Sequence, residues 1–257
     1  MMYPKFFFER FWKGDQKNEL FVCMPFHDSF DKKFKKTIIP CAKKVGLNSA
    51  ERVKENWEAD SITDRIFDGI ANSKLLLFDL SDDPKSPCQH SRHVNGNVLY
   101  ELGIAMAIRE PEDIILMKER STTVIPFDIS GININFYDGE LKNSWLTKVL
   151  EKSLTDQSWY KSKRVDAAAK SIDDIGLYIM CNIGCRPKGQ NHFNTNGWKI
   201  EDKVSVLRLV DLGILMFASK IHSHGAEHAY HWTPFGYEVM KHIGVKFMTD
   251  NENNNVY

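Results

Sequence analysis

The stretch "KLLLFDL", Lys74 to Leu80, decides how the chain folds. Leu75, Leu76, Leu77 and Phe78 form an unbroken apolar run, which a strand can hold only if it is covered on both faces. Working outward, Asp60 to Asn72 reads as an amphipathic helix with Ile62, Ile66, Phe67 and Ile70 inward. Leu20 to Phe26 reads as a buried strand ending at Pro25. Asp31 to Val45 is a helix with Phe34, Ile38, Ile39 and Ala42 on one side, closed by Gly46. A short segment around Arg52 is a candidate second strand. Downstream, Asp82 to Asn97 is a polar loop and Val98 to Ile108 a helix. Asp113 to Met117 and Asn133 to Tyr137 are strands, and Ser144 to Leu154 is a closing helix. Strands alternating with helices predict a parallel sheet with helices on both faces. In such sheets the ligand sits beyond the carboxyl ends of the strands, where the strand order reverses.

A chain of 257 residues suits two small domains, and 42% hydrophobic with 26% charged residues is an ordinary globular composition. The formal net charge is zero, which favours no particular class of partner. Cys23, Cys41, Cys88, Cys181 and Cys185 are odd in number and irregularly spaced, which argues against a disulfide framework and for a reducing compartment. No apolar run is long enough to span a membrane, and Met1 to Trp12 lacks the order of a signal peptide. A cytosolic location is the expectation.

Composition shifts at Gln157 to Val165, where apolar periodicity ends. The expected domains are therefore residues 1–156 and 157–257. In the second, Asp166 to Ile183 and Ile200 to Leu212 read as helices. Ile214 to Ile221 and Ala229 to Thr233 read as strands around a turn at His222 to Glu227, and Thr233-Pro234 opens a last helix.

The segment "NVLYELGIAMAI" holds one charge, Glu101, on a face shared with Val98, Ile104 and Ala105. Such a carboxylate either faces a cleft or titrates abnormally. The other reading is an acid in a first helical turn, favoured by the helix dipole. Asp79 ends the clearest strand and is expected to reach the same cleft, to hold sugar hydroxyls or assist leaving-group protonation; the alternative is an aspartate capping backbone amides. Met24, Pro25 and Phe26 end the first strand, where Phe26 can stack on a base or pack a loop. Arg52 can meet a phosphate or be a solvated charge. Asn97 can bind substrate or cap the helix.

Four segments, "FVCMPFHDSFD", "LLLFDLSD", "NVLYELGIAMAI" and "PFDISGININFYD", together resemble the TIR-like and nucleoside deoxyribosyltransferase-like proteins, many of them bacterial immune effectors. The resemblance covers roughly residues 19 to 153. It implies that Glu101 is the catalytic residue, acting on an N-glycosidic bond by stabilising or attacking an oxocarbenium-like carbon. It also implies association into an oligomer when active. The expected fold class is α/β, a flavodoxin-like parallel sheet with helices on both faces, plus a C-terminal winged-helix domain. "LVDLGILMF" and "YHWTPFGYEVMKHI" look like the helix end, wing and final helix of that second family.

The expected activity is cleavage of NAD+ or a (deoxy)nucleotide, in antiphage defence and gated by a partner. No cofactor is expected. The domain order also resembles retron-associated effectors, whose partner would be a reverse transcriptase with its RNA–DNA product. The alternatives are base transfer by the same carboxylate, or a non-catalytic nucleotide sensor or nucleic-acid-binding regulator.

The loop Asp82 to Gly96 is long and carries Cys88, His90, Arg92 and His93, too close together and too few for an ordinary zinc site. There is neither Gly-x-Gly-x-x-Gly nor a Walker loop, so dehydrogenase and ATPase readings lack support. Residues 164–257 hold ten basic and ten acidic side chains, which gives little counterion-release drive toward nucleic acid. A protein or protein–nucleic acid partner is as plausible there as free DNA. His222, His224, His228 and His231 can ligate metal or line a pH-sensitive wing. Cys181 and Cys185 share a helical face and read as small core residues.

Overall fold

A computed structural model of the chain describes residues 16–53, 59–84, 93–121, 133–187, 190–222 and 225–249. The chain divides into two units, Met1–Ser158 and Trp159–Tyr257. The N-terminal segment Met1 to Trp12, the loop residues Cys88, His90 and Arg92, His224 and the Asn-rich tail lie outside the described residues.

The first unit is α/β. Its strands are β1 (Lys17–Cys23), β2 (Ser49–Glu51), β3 (Ser73–Asp79), β4 (Ile114–Glu119) and β5 (Ile134–Tyr137). They form one sheet in the order β2-β1-β3-β4-β5, with every neighbouring pair parallel. That is the flavodoxin-like order, with its switch point between β1 and β3.

Helix α1 follows β1 as Asp28–Lys33, a π-helical turn Phe34–Ile38, and Ile39–Lys44. Pro40 lacks the N–H that a regular helix interior requires, and the wide turn directly precedes it. Helix α2 is Ala59–Asn72, α3 is Gly96–Ile108 and α4 is Asn143–Lys170.

Side chains along the apolar strands alternate between two cores, as a period of two requires. Leu20, Val22, Leu75, Leu77, Ile115 and Met117 pack with α1 and α4 on one face. Phe21, Cys23, Leu76, Phe78, Leu80 and Leu116 pack with α2 and α3 on the other. Gly69 of α2 lets that face close, because a Cβ there would lie 2.2 Å from the Phe21 ring. At the amino end of the sheet, Arg109 holds Asp113 at 2.9 Å and donates to the Ile70 carbonyl at 2.7 Å, satisfying both buried charges.

Two boundaries differ from the sequence reading. Helix α4 does not end at Leu154 but runs on through Gln157 to Val165 to Lys170. Residues 158–164 are all exposed, so they need no apolar periodicity, and their lysines and arginine favour helix. The helix expected over Asp166 to Ile183 is interrupted instead. Asp173 accepts from the Gly176 N–H at 2.7 Å and so starts a new helix, α5 (Asp174–Ile179), which continues as a π-helical turn, Met180–Gly184.

The second unit continues with α6 (Ile200–Asp211), β6 (Leu215–His222), β7 (Gly225–Trp232) and α7 (Pro234–His242). The two strands pair antiparallel from Leu215↔Trp232 to His222↔Gly225, so the turn is tighter than His222 to Glu227. Thr233 caps α7 by accepting from the Gly236 N–H at 2.9 Å, with Pro234 in its first turn. Ile179, Met180, Val206, Leu209, Trp232 and Met240 build its core. Among the described residues, no helix is long and apolar enough to cross a membrane.

Candidate active site

Glu101 is the one charged side chain of α3. The helix begins at Gly96, capped by Asn95, whose side-chain oxygen accepts from the N–H groups of Asn97 at 2.9 Å and Val98 at 3.3 Å. Asn95 also donates to Asp83 at 2.7 Å. The cap is therefore Asn95, not Asn97. Glu101 consequently lies in the second turn, beyond the reach of the helix-dipole effect.

A cleft opens at the carboxyl ends of β1 and β2, beside the start of α3. The space between its walls, open solvent included, is about 360 Å³. Its lining includes Glu101, Met24, Pro25, Phe26, Arg52 and Asn97, six of the seven residues singled out in the sequence. Cys23, Asn95, Val53 and Ile66 are among the other wall residues.

Inside this cleft, removal from water pushes the Glu101 carboxyl up from 4.5 to about 7. A hydrogen bond from Cys23 pulls the other way. The Cys23 thiol is fully buried, and burial together with the nearby Glu101 charge raises it well above its ordinary value. It therefore stays protonated and donates. Cys23 was not among the site residues expected from the sequence. The alternation within "LFVCMPF" carries the signal, because Cys23 shares a strand face with Phe21, and that face packs on α3.

Arg52 lines the cleft and is not a solvated surface charge. Its side chain is 9% exposed and pairs with Asp31 at 2.8 Å. The guanidinium lies 5.3 Å from the Phe26 ring centroid and 5.5 Å from that of Phe34. Phe26 is thus fixed at the mouth by a cation on one side.

Asp79 does not join Glu101. Counted along β3 it follows Leu75 and Leu77, so it faces α1, the opposite side of the sheet from α3. Its carboxylate is buried and pairs with Lys33 at 2.9 Å. It also accepts from the Ser81 N–H at 3.0 Å, which is the backbone-capping alternative. Lys33 donates in turn to the Tyr137 hydroxyl, which contacts Ser81 Oγ at 3.1 Å. This geometry removes Asp79 from the expected roles toward sugar or leaving group.

No family model matches the chain, and no curated protein matches it. Solved structures similar to it include the CMP N-glycosidase BcmB of Clostridium botulinum. That match has 18% identity and a TM-score of 0.36, over 52% of this chain and 97% of the other. The fold stated above rests on the chain's own strand order and register.

Among the described residues, no group of three His, Cys, Asp or Glu side chains could hold a metal ion. In the second unit, His231 stacks on His192 at 5.6 Å and His228 on Phe217 at 5.6 Å. Cys185 is buried and Cys181 exposed, so of the pair only Cys185 is a core residue.

Proposed function

We propose that this chain hydrolyses the N-glycosidic bond of a nucleotide, with Glu101 as the reacting carboxylate. The observation that carries this reading is a desolvated carboxyl at the mouth of the parallel sheet, titrating near pH 7 and held by a protonated thiol. As the bond to the base lengthens, positive charge grows on the anomeric carbon. A carboxylate stripped of water stabilises that charge strongly or closes on it to form a glycosyl-enzyme. Water then adds to the anomeric carbon and its proton passes to solvent, so that the products are the free base and the sugar phosphate, which for NAD+ are nicotinamide and ADP-ribose.

NAD+ is the favoured substrate within this class. Among the described residues lining the cleft, Glu101 is the one carboxylic acid. Nicotinamide leaves as a neutral base and needs no proton from the enzyme, whereas a base leaving from an ordinary nucleotide does. Phe26 offers the base an apolar ring at the mouth. The second unit, with its order of α5, α6, hairpin and α7, is proposed as a winged-helix-type module that gates the first. A role in antiphage defence rests on the sequence resemblance alone.

The test is incubation of the full chain with NAD+ and a panel of (deoxy)nucleotides, with and without an added free base. Base release that is lost in Glu101→Gln supports the proposal, and exchange with the added base assigns transfer. Absence of release from every substrate contradicts it. Replacing Cys23 by alanine removes the hydrogen bond that stabilises the ionised carboxylate. The acidic limb of kcat/KM is then expected to move above the wild-type value of about 7. An unmoved limb would remove Cys23 from the mechanism.

A further inference from the structure

Helix α6 is apolar on both sides. Val206 and Leu209 point into the core of the second unit and are 0% and 1% exposed. On the other side, Ile200, Val204 and Leu207 are 76%, 57% and 54% exposed. Spacings of four and three residues set these three side chains in one stripe along the helix. A solvated helix face carries polar groups, so a stripe of branched apolar side chains marks a contact surface.

We propose that α6 pairs antiparallel with α6 of a second copy of this chain. The occupant follows from the charges that border the stripe. Glu201 and Arg208 lie seven residues apart, hence on the same flank, and Lys203 lies on the opposite flank. In an antiparallel pair, like flanks meet. Glu201 of each copy then lies beside Arg208 of the other, giving two ion pairs related by a twofold axis. In a parallel pair, opposite flanks meet, and Lys203 would lie against Arg208. Glu201 lies in the first turn and Arg208 in the last, with Asp211 closing the helix beyond them, and antiparallel helix dipoles oppose. Arg208 is available for this exchange. Its contact with Asp173 within the chain is long, 3.9 Å, and its side chain is 56% exposed.

The proposal stands apart from the reading of Glu101 and is tested without substrate. Sedimentation equilibrium of the full chain over about 1 to 100 μM is expected to show a monomer–dimer equilibrium. Leu207→Glu is expected to be monomeric throughout. The residue is exposed, so folding should be kept, and circular dichroism checks this. Glu201→Arg is expected to weaken the dimer about fivefold or more by setting arginine against arginine twice. Adding Arg208→Glu to that variant is expected to restore the wild-type constant. A wild-type chain that stays monomeric overturns the proposal. So does a dimer indifferent to Leu207→Glu, or a doubly reversed variant weaker than Glu201→Arg alone.

Discussion

Glu101→Gln is expected to lower base release by at least about a thousandfold while leaving substrate affinity within a few fold. The substitution keeps the volume of the side chain and its place beside Val98 in the cleft wall. What it removes is the negative charge, which faces positive charge on the anomeric carbon only as the glycosidic bond breaks. In wild type the same logic sets the pH profile. The ionised form does the work, so kcat/KM should rise about tenfold per pH unit up to about 7 and then level off. A profile that instead falls above pH 7 would make Glu101 a proton donor and reverse its role. Steady-state kinetics on the preferred substrate from pH 5 to 9 reads both outcomes.

The second large effect is on stability and needs no substrate. The Glu101 carboxyl titrates at about 7 in the folded chain against 4.5 when unperturbed. Between those values the folded state holds the proton and the unfolded state has lost it, so folding binds protons and stability falls as pH rises. The loss begins near pH 4.5 and is complete once pH passes the folded value of about 7. Its full size is roughly 3 kcal/mol, because each pH unit between the two values contributes about 1.4 kcal/mol. Glutamine has no such titration. The stability of Glu101→Gln relative to wild type should therefore climb by roughly 3 kcal/mol between pH 4.5 and 8 in denaturant unfolding. A difference that does not change with pH would mean that the carboxylate is solvated. A charge that costs stability at a proposed active site fits the usual trade between function and folding.

Much of this was legible in the chain. The unbroken run Leu75 to Phe78 could be satisfied only by cover on both faces, and burial of that kind is a local property of the sequence. Glu101 stood out because it is the single charge in an otherwise apolar helix. What escaped depended on partners distant in sequence. Asp79 was expected in the cleft because it ends a strand; its position in the alternation, one residue past Phe78, turns it to the other face. There it meets Lys33, 46 residues away. Arg52 was read as free or solvated, and nothing local revealed Asp31 or the two phenylalanine rings that enclose it. The start of α3 shifted because two asparagines competed for one cap, and Asn95 won with the added bond to Asp83. Helix α4 outran its expected end because an exposed helix needs propensity rather than pattern.

The most direct measurement is a structure of Glu101→Gln with the intact nucleotide bound. The expected result is a sugar in the cleft between Phe26 and α3, with its anomeric carbon within about 3.5 Å of the side-chain oxygen of the introduced glutamine. A nucleotide bound with its sugar elsewhere, and that glutamine turned into open solvent, would contradict it.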